Sequence, residues 1–97
     1  MEVLGAPREF EWDTGNREKN WRKHRVSDAE CEEIFFDSRK RVLKDLLHSG
    51  KEERCILIGK TKKQRLLFVV FTIRKKIRII YARPLNKKER KLYEEKA

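Results

Sequence analysis

Four arginines on or beside apolar segments are the residues of this sequence best suited to do chemistry. Arg65 opens the run RLLFVVFT, Arg74 follows that run, and Arg78 and Arg83 lie in and at the end of IRIIYAR. A guanidinium group binds phosphate oxygens in pairs and stabilises the charge of a phosphoryl transition state. RNA can be cleaved without a metal if cations hold the phosphate, a base takes the 2′-OH proton and an acid serves the leaving oxygen. The arginines could therefore serve a metal-free ribonuclease site.

The groups that would move protons in such a site come from the stretch HSGKEERCILIGK, which begins at His48. His48, Glu52 or Glu53 could be the base, and histidine is the side chain best tuned to neutral pH. An arginine or Tyr93 could serve the leaving oxygen. The alternative is that His48 is an exposed turn residue and that the two glutamates pair with neighbouring basic residues.

The spacing of Arg78 and Arg83 works against a shared site. Side chains alternate along a strand, so an odd separation places them on opposite faces unless a β-bulge intervenes. All the strand arginines could instead form a solvated face that pairs with Asp and Glu. His24 could be packed on a helix face beside Trp21. The pattern alone thus indicates a small basic domain that binds RNA or DNA, and it leaves catalysis open.

The elements that must position these residues are predicted from periodicity and capping signals. We expect one α+β domain over residues 1–97, in the order β-α-α-β-β-β-β-α, with a loose lead-in at residues 1–7. Asp13 caps a helix over 14–25, Ser27 starts a second helix with a capping box, and Asn86 caps the last one. The apolar runs from residue 41 onward, joined by tight turns, predict an antiparallel sheet with 65–72 as its central strand. We expect the helices on one side of it.

The excess of basic residues indicates which class of partner the protein binds. The chain has 97 residues, with 26 Lys plus Arg against 16 Asp plus Glu, which gives a net charge of +10. A folded domain with this excess indicates a polyanionic partner such as RNA, DNA or an acidic protein. The alternative is a basic surface kept for solubility. A chain this short builds one modest core, so a surface groove is favoured over an enclosed substrate chamber.

Metal chemistry and a membrane span both lack support in the sequence. Cys31 and Cys55 form no CxxC pair and have no histidine at metal-ligand spacing, so we expect no metal and no cofactor. No apolar run approaches the length of a spanning helix, about 18 residues, and no segment resembles a signal peptide. We therefore expect a cytoplasmic protein with reduced thiols and no membrane contact.

Five groups of motifs, in order over residues 10 to 94, resemble the BrnT family of ribonuclease toxins. FEWD, NWRKH and VSDAE are similar to the family's opening, and HSGKEERCILIG is similar to its His-Ser, Glu-Glu-Arg and Ile-Gly strand entry. LLFVVFTIR and IRIIYAR resemble its two Arg-bearing strands, and ERKLYE resembles its closing Glu-Arg-x-x-Tyr. The resemblance implies a RelE-like fold and a metal-independent endoribonuclease that inhibits translation.

The resemblance also implies partners and site residues. The partners are RNA, a ribbon-helix-helix antitoxin, operator DNA reached through that antitoxin, and a second toxin copy within the complex. The implied catalytic residues are His48, Glu53, Arg65, Arg78 and Arg83, and the implied RNA contacts are Lys23, His24, Arg54, Arg74 and Tyr93. Two alternatives stay open: a basic module that binds RNA or an antitoxin without cutting, and a DNA-binding corepressor.

Four positions depart from the family's pattern. Asn16 stands in place of Lys, Arg25 and Gln64 each stand in place of Gly, and Tyr81 stands in place of a small Ser before Ala-Arg. The loss of a glycine after the first helix removes the residue that most easily adopts a left-handed conformation there. Tyr81 adds bulk near the predicted site.

Overall fold

A computed structural model describes residues 9–45, 53–73 and 75–95, and it confirms the α+β class. The predicted lead-in at residues 1–7 lies outside the described residues, as do His48, Glu52 and Arg74. The elements are β1 (Phe10–Trp12), α1 (Thr14–His24), α2 (Asp28–Glu33), a 3-10 turn (Ile34–Phe36), β2 (Arg41–Lys44), β3 (Arg54–Lys60), β4 (Leu66–Ile73), β5 (Ile77–Pro84) and α3 (Lys87–Glu94).

The sheet is mixed, and this corrects the antiparallel sheet that we predicted. Its strand order is β1-β5-β4-β3-β2, with β4 at the centre and antiparallel pairing from β2 to β5. The first strand, however, pairs in parallel with β5. Tight turns force consecutive strands to be antiparallel, whereas most of the domain separates β1 from β5. No local signal in the sequence fixes the direction of that pair.

The helices lie on two sides of the sheet, so the prediction that they share one side is wrong. Residues of α2 and the 3-10 turn pack with Leu57, Val69 and Phe71 in the main core, on the α2 face of the sheet. The α3 helix packs with Ile58 and Phe68 on the opposite side, the α3 face. The continuous apolar run of β4 is buried along most of its length, which requires cover on both faces.

The caps of the helices form as the sequence predicts. The side chain of Asp13 accepts a hydrogen bond from the backbone N–H of Asn16. Ser27 and Glu30 form a capping box, and Asn86 and Glu89 form a second one. These bonds satisfy backbone N–H groups that have no partner inside the first turn of a helix.

A buried asparagine joins α1 to the edge of the sheet. Asn20 is only 3% exposed, and its side-chain oxygen accepts a hydrogen bond from the backbone N–H of Ala82 at 3.1 Å. The short strand β1 pairs with β5 only over Ile77–Ile79. Asn20 therefore provides an acceptor for the backbone N–H of Ala82, on the part of the β5 edge that β1 does not cover. Trp21, on the same helix, is half exposed. In the described part of the chain, no helix is long and apolar enough to cross a membrane.

Candidate functional site

A β-bulge brings Arg78 and Arg83 to the same face of the sheet. The pairing of β4 with β5 shifts by one residue between Val70 and Phe71. As a result Arg78 lies opposite Thr72, and Arg83 lies opposite Phe68. Thr72 and Phe68 are four residues apart on β4, and directly opposed residues share a face. Both arginines therefore lie on the α3 face, about 13 Å apart along the strand.

Arg54, Thr72 and Arg78 form a row across three adjacent strands on this face. Thr72 is paired with Arg54 on β3 and with Arg78 on β5. Its side chain is 1% exposed, and its hydroxyl has no hydrogen-bond partner within the described residues. A buried hydroxyl without a partner is uncommon in a folded protein. The row thus combines two cations with a polar group able to donate or accept a hydrogen bond.

Arg78 is held only loosely by its acidic neighbour. Its Nη2 lies 3.8 Å from Oδ2 of Asp13, and both side chains are partly exposed. Glu11 on β1 is the backbone partner of Arg78. A long, partly exposed ion pair contributes little to stability and can give way to another anion. Arg78 is therefore suited to meet a phosphate.

Arg83 is held much more firmly. It forms a two-point ion pair with Glu89 at 2.7 Å from each nitrogen, and its guanidinium carbon lies 3.9 Å from the centre of the Phe68 ring. The bonds to Glu89 raise the pKa of Arg83, burial lowers it, and the nearby Tyr81 adds to the rise. Arg83 is thus charged, but both terminal nitrogens of its guanidinium are already bonded to Glu89.

Arg65 lies in a structural junction rather than on the face that carries Arg78. Its guanidinium donates to the carbonyl of His24 at 2.8 Å, to the carbonyl of Arg25 at 2.7 Å and to both oxygens of Glu30 at 3.1 Å. Burial alone would raise the pKa of Glu30, but bonds from Ser27 and Arg65 hold that pKa below its usual value. This arginine therefore ties the end of α1 to the start of α2.

Two other predicted residues also have partners away from Arg78. Glu53 pairs with Lys44 of the edge strand β2, Oε2 to Nζ at 2.8 Å. Tyr93 is buried, and its hydroxyl donates to Oδ2 of Asp37 at 2.6 Å. Burial and that bond raise the pKa of Tyr93 to about 12. The burial of Tyr93 argues against the RNA contact that we predicted for it.

A histidine and a tyrosine meet at the end of α1. His24 and Tyr81 are 3.5 Å apart, Nε2 to hydroxyl, and their rings are nearly perpendicular with centroids 6.0 Å apart. Lys23, the other predicted RNA contact on this helix, is exposed. Tyr81 lies opposite Val70, between Arg78 and Arg83 along β5. Sequence reasoning treated Tyr81 as added bulk, although an aromatic between two arginines is itself a nucleic-acid signal.

The described residues contain no group of three or more His, Cys, Asp or Glu placed to hold a metal ion. Both cysteines are buried and unpaired with each other. Burial raises the pKa of the Cys31 thiol, as do the carboxylates of Asp28, Glu30 and Glu32. A thiol with a raised pKa is a poor nucleophile, so Cys31 serves the core.

A family model described as "Ribonuclease toxin, BrnT, of type II toxin-antitoxin system" matches residues 12–89. The match covers more than half of the chain and includes Arg54, Thr72, Arg78 and Arg83. No curated protein matches the chain.

Proposed function

The chain belongs to the BrnT family of ribonuclease toxins of type II toxin–antitoxin systems, and from this premise we propose that it is a metal-independent endoribonuclease that inhibits translation in the cytoplasm. The observation that carries the proposal is the row of Arg54, Thr72 and Arg78 on the α3 face. Two arginines on one face of the sheet suit the phosphates of an RNA backbone, and the buried Thr72 lies between them on β4. The fold is proposed to be RelE-like.

The proposed reaction is attack of a ribose 2′-oxygen on the adjacent phosphorus. A bond forms from that oxygen to phosphorus, the bond to the 5′-oxygen breaks, and the products are a 2′,3′-cyclic phosphate and a 5′-hydroxyl. A base removes the 2′ proton, and an acid returns one to the 5′-oxygen. Arg78 stabilises the charge that develops on the phosphoryl oxygens. His48 and Glu53 remain the candidates for moving the protons.

The arginines differ in the parts they play in this proposal. Arg78 contacts the reacting phosphate, and Arg54 of the same row contacts the RNA backbone. Arg83 is a positioning residue that holds the end of β5 against Glu89 and Phe68. Arg65 keeps α1 and α2 in place and does not contact RNA.

The protein partner of a type II toxin is an antitoxin, and we propose a ribbon-helix-helix protein that carries the complex to operator DNA. The net charge of +10 suits an acidic segment of that antitoxin lying over the RNA-binding face. A pair of toxin copies in the complex is proposed as well. If antitoxin binding left RNA cleavage unchanged, the overlap of the two surfaces would be wrong.

The experiment is induction of the protein in bacteria, followed by cleavage of a defined RNA by the purified protein with and without a chelator. We expect growth arrest and cleavage that survives the chelator. Arg78→Ala should lower the cleavage rate roughly 100- to 1,000-fold, as loss of a transition-state donor does. Its thermal unfolding should match that of the wild type, because its ion pair is long and partly exposed.

The matched control is Arg39→Ala, which removes the same charge from an exposed position in the turn before β2. It should cleave at the wild-type rate. His48→Ala and Glu53→Gln then distinguish the two proton-transfer candidates. Intact RNA and continued growth at good soluble expression would contradict the nuclease proposal and favour a binding module.

A further inference from the structure

Tyr81 is a large aromatic side chain on the surface of an otherwise well-packed strand. It is 36% exposed, whereas its strand neighbours Ile79 and Ala82 are fully buried. The resemblance places a small serine here, so the ring is a feature of this chain rather than a requirement of the fold. An exposed aromatic between two arginines calls for a functional explanation.

His24 contacts the tyrosine without stacking on its ring. The two rings are 86° from parallel, and the close approach is from the imidazole Nε2 to the tyrosine hydroxyl at 3.5 Å. At this angle the imidazole does not stack on the tyrosine. Tyr81 is thus held at its hydroxyl end, and a flat group can still stack on the ring.

The end of α1 that holds His24 is basic and carries a second exposed aromatic. The last turn of α1 contains Arg22 and Lys23. Arg25 lies over the ring of Trp21 at 5.2 Å, and Trp21 is 50% exposed. Cations interleaved with exposed aromatic rings are the usual composition of surfaces that bind single-stranded nucleic acid, because every base has a face that can stack.

We propose that Tyr81, positioned by His24, is a stacking site for a nucleobase of single-stranded RNA whose backbone lies along β5 at Arg78. This inference rests on the proposed function, since it names the part of the RNA that is bound beside the cleaved phosphate. A single-stranded region can turn a base out of its stack at small cost, whereas a duplex holds the base inside. The site therefore selects unpaired RNA.

The experiment measures binding separately from cleavage. A short single-stranded RNA with 2′-O-methyl riboses, which cannot be cleaved through the 2′-OH, is titrated with the full chain and followed by fluorescence anisotropy. Tyr81→Ala should raise the Kd roughly 5- to 100-fold. Tyr81→Phe should raise it less, because the ring is kept while the hydroxyl contact with His24 is lost. Scanning the RNA with abasic nucleotides should reveal one position that weakens wild-type binding but hardly affects Tyr81→Ala.

Phe36→Ala is the matched control, because Phe36 is an exposed aromatic, 65% accessible, on the 3-10 turn away from β5. It should bind RNA like the wild type. Equal Kd values for Tyr81→Ala and the wild type, or an abasic effect that is the same in both proteins, would overturn the proposal. If the protein cleaves RNA and Tyr81→Ala binds RNA like the wild type, only the stacking proposal is contradicted. If binding depends on Tyr81 but no RNA is cleaved, only the nuclease proposal is contradicted.

Discussion

Arg65 and Arg78 have similar sequence contexts but differ in how many acceptors surround their guanidinium groups in the structure. Each is an arginine at or within an apolar strand segment. Arg65 donates to two backbone carbonyls and a carboxylate, so its guanidinium is already bound within the protein. Among the described residues, Arg78 has Asp13 at 3.8 Å and Glu11 beside it on β1. The comparison shows that the type of residue indicates phosphate chemistry, but the acceptors already around it decide whether a phosphate can be bound.

The two arginines also differ in what surrounds their strands. Arg65 lies where two helices end and begin, and helix ends supply carbonyls and carboxylates that need partners. Arg78 is the second residue of β5, where the backbone groups pair within the sheet and side chains such as that of Asp13 compete for the guanidinium. Arg78, whose described partner is a side chain at 3.8 Å rather than a set of helix carbonyls, is thus the better candidate for contact with RNA.

The largest expected difference between the junction around Arg65 and the face around Arg78 is in the free energy of unfolding. Arg65→Ala leaves the carbonyls of His24 and Arg25 and the carboxylate of Glu30 without their donor, so we expect a loss of about 2 to 4 kcal/mol in the free energy of unfolding. Urea unfolding followed by circular dichroism measures it. Arg78→Ala, examined in parallel, should lose less than about 0.5 kcal/mol. Equal losses in the two variants would break the comparison.

Asp37 tests whether another charged group that is hydrogen-bonded within the protein stabilises the fold as Arg65 does. Burial alone would raise the pKa of Asp37, but bonds from Tyr93, Arg39 and Lys60 leave that pKa below its usual 3.8. The stabilisation is therefore present above pH 3.8 and is lost as the pH falls through the lower folded-state value. Asp37→Asn should cost about 1 to 2 kcal/mol at pH 7.

The matching measurement is chemical unfolding of the wild type and Asp37→Asn at several pH values. The gap between the two proteins should be constant from pH 7 to about 5 and should shrink below about 4. Arg39→Ala serves as a control, since Asp37 accepts from the backbone N–H of Arg39 and that bond survives the substitution. A gap that stays the same down to pH 3 would show that the charge of Asp37 does not stabilise the fold.

The sequence predicts local features well and long-range pairing poorly. Asp13, Ser27 and Asn86 cap their helices as expected, because a cap depends on residues three apart. The parallel pairing of β1 and the bulge opposite Val70 have no such local signal. The bulge decides which face carries Arg83, because it moves Arg83 to the face of Arg78. Odd spacing alone argues against that arrangement, and only the register of two strands resolves it.

The smallest expected effect concerns the backbone beside Arg65. Gln64 and Arg25, which stand where the family pattern has glycine, are the non-glycine residues with positive φ among those described, at 73° and 53°. Glycine adopts this conformation without the steric cost that a side chain carries. Gln64→Gly should therefore stabilise the protein by about 0.5 to 1 kcal/mol in thermal unfolding. Arg25→Gly should gain less, because it also loses the contact of Arg25 with Trp21 at 5.2 Å. RNA cleavage by Gln64→Gly should be unchanged, since Arg65 lies in a structural junction and we propose that the chemistry takes place on the face around Arg78. A loss of cleavage in a stabilised Gln64→Gly protein would show that the two regions are coupled.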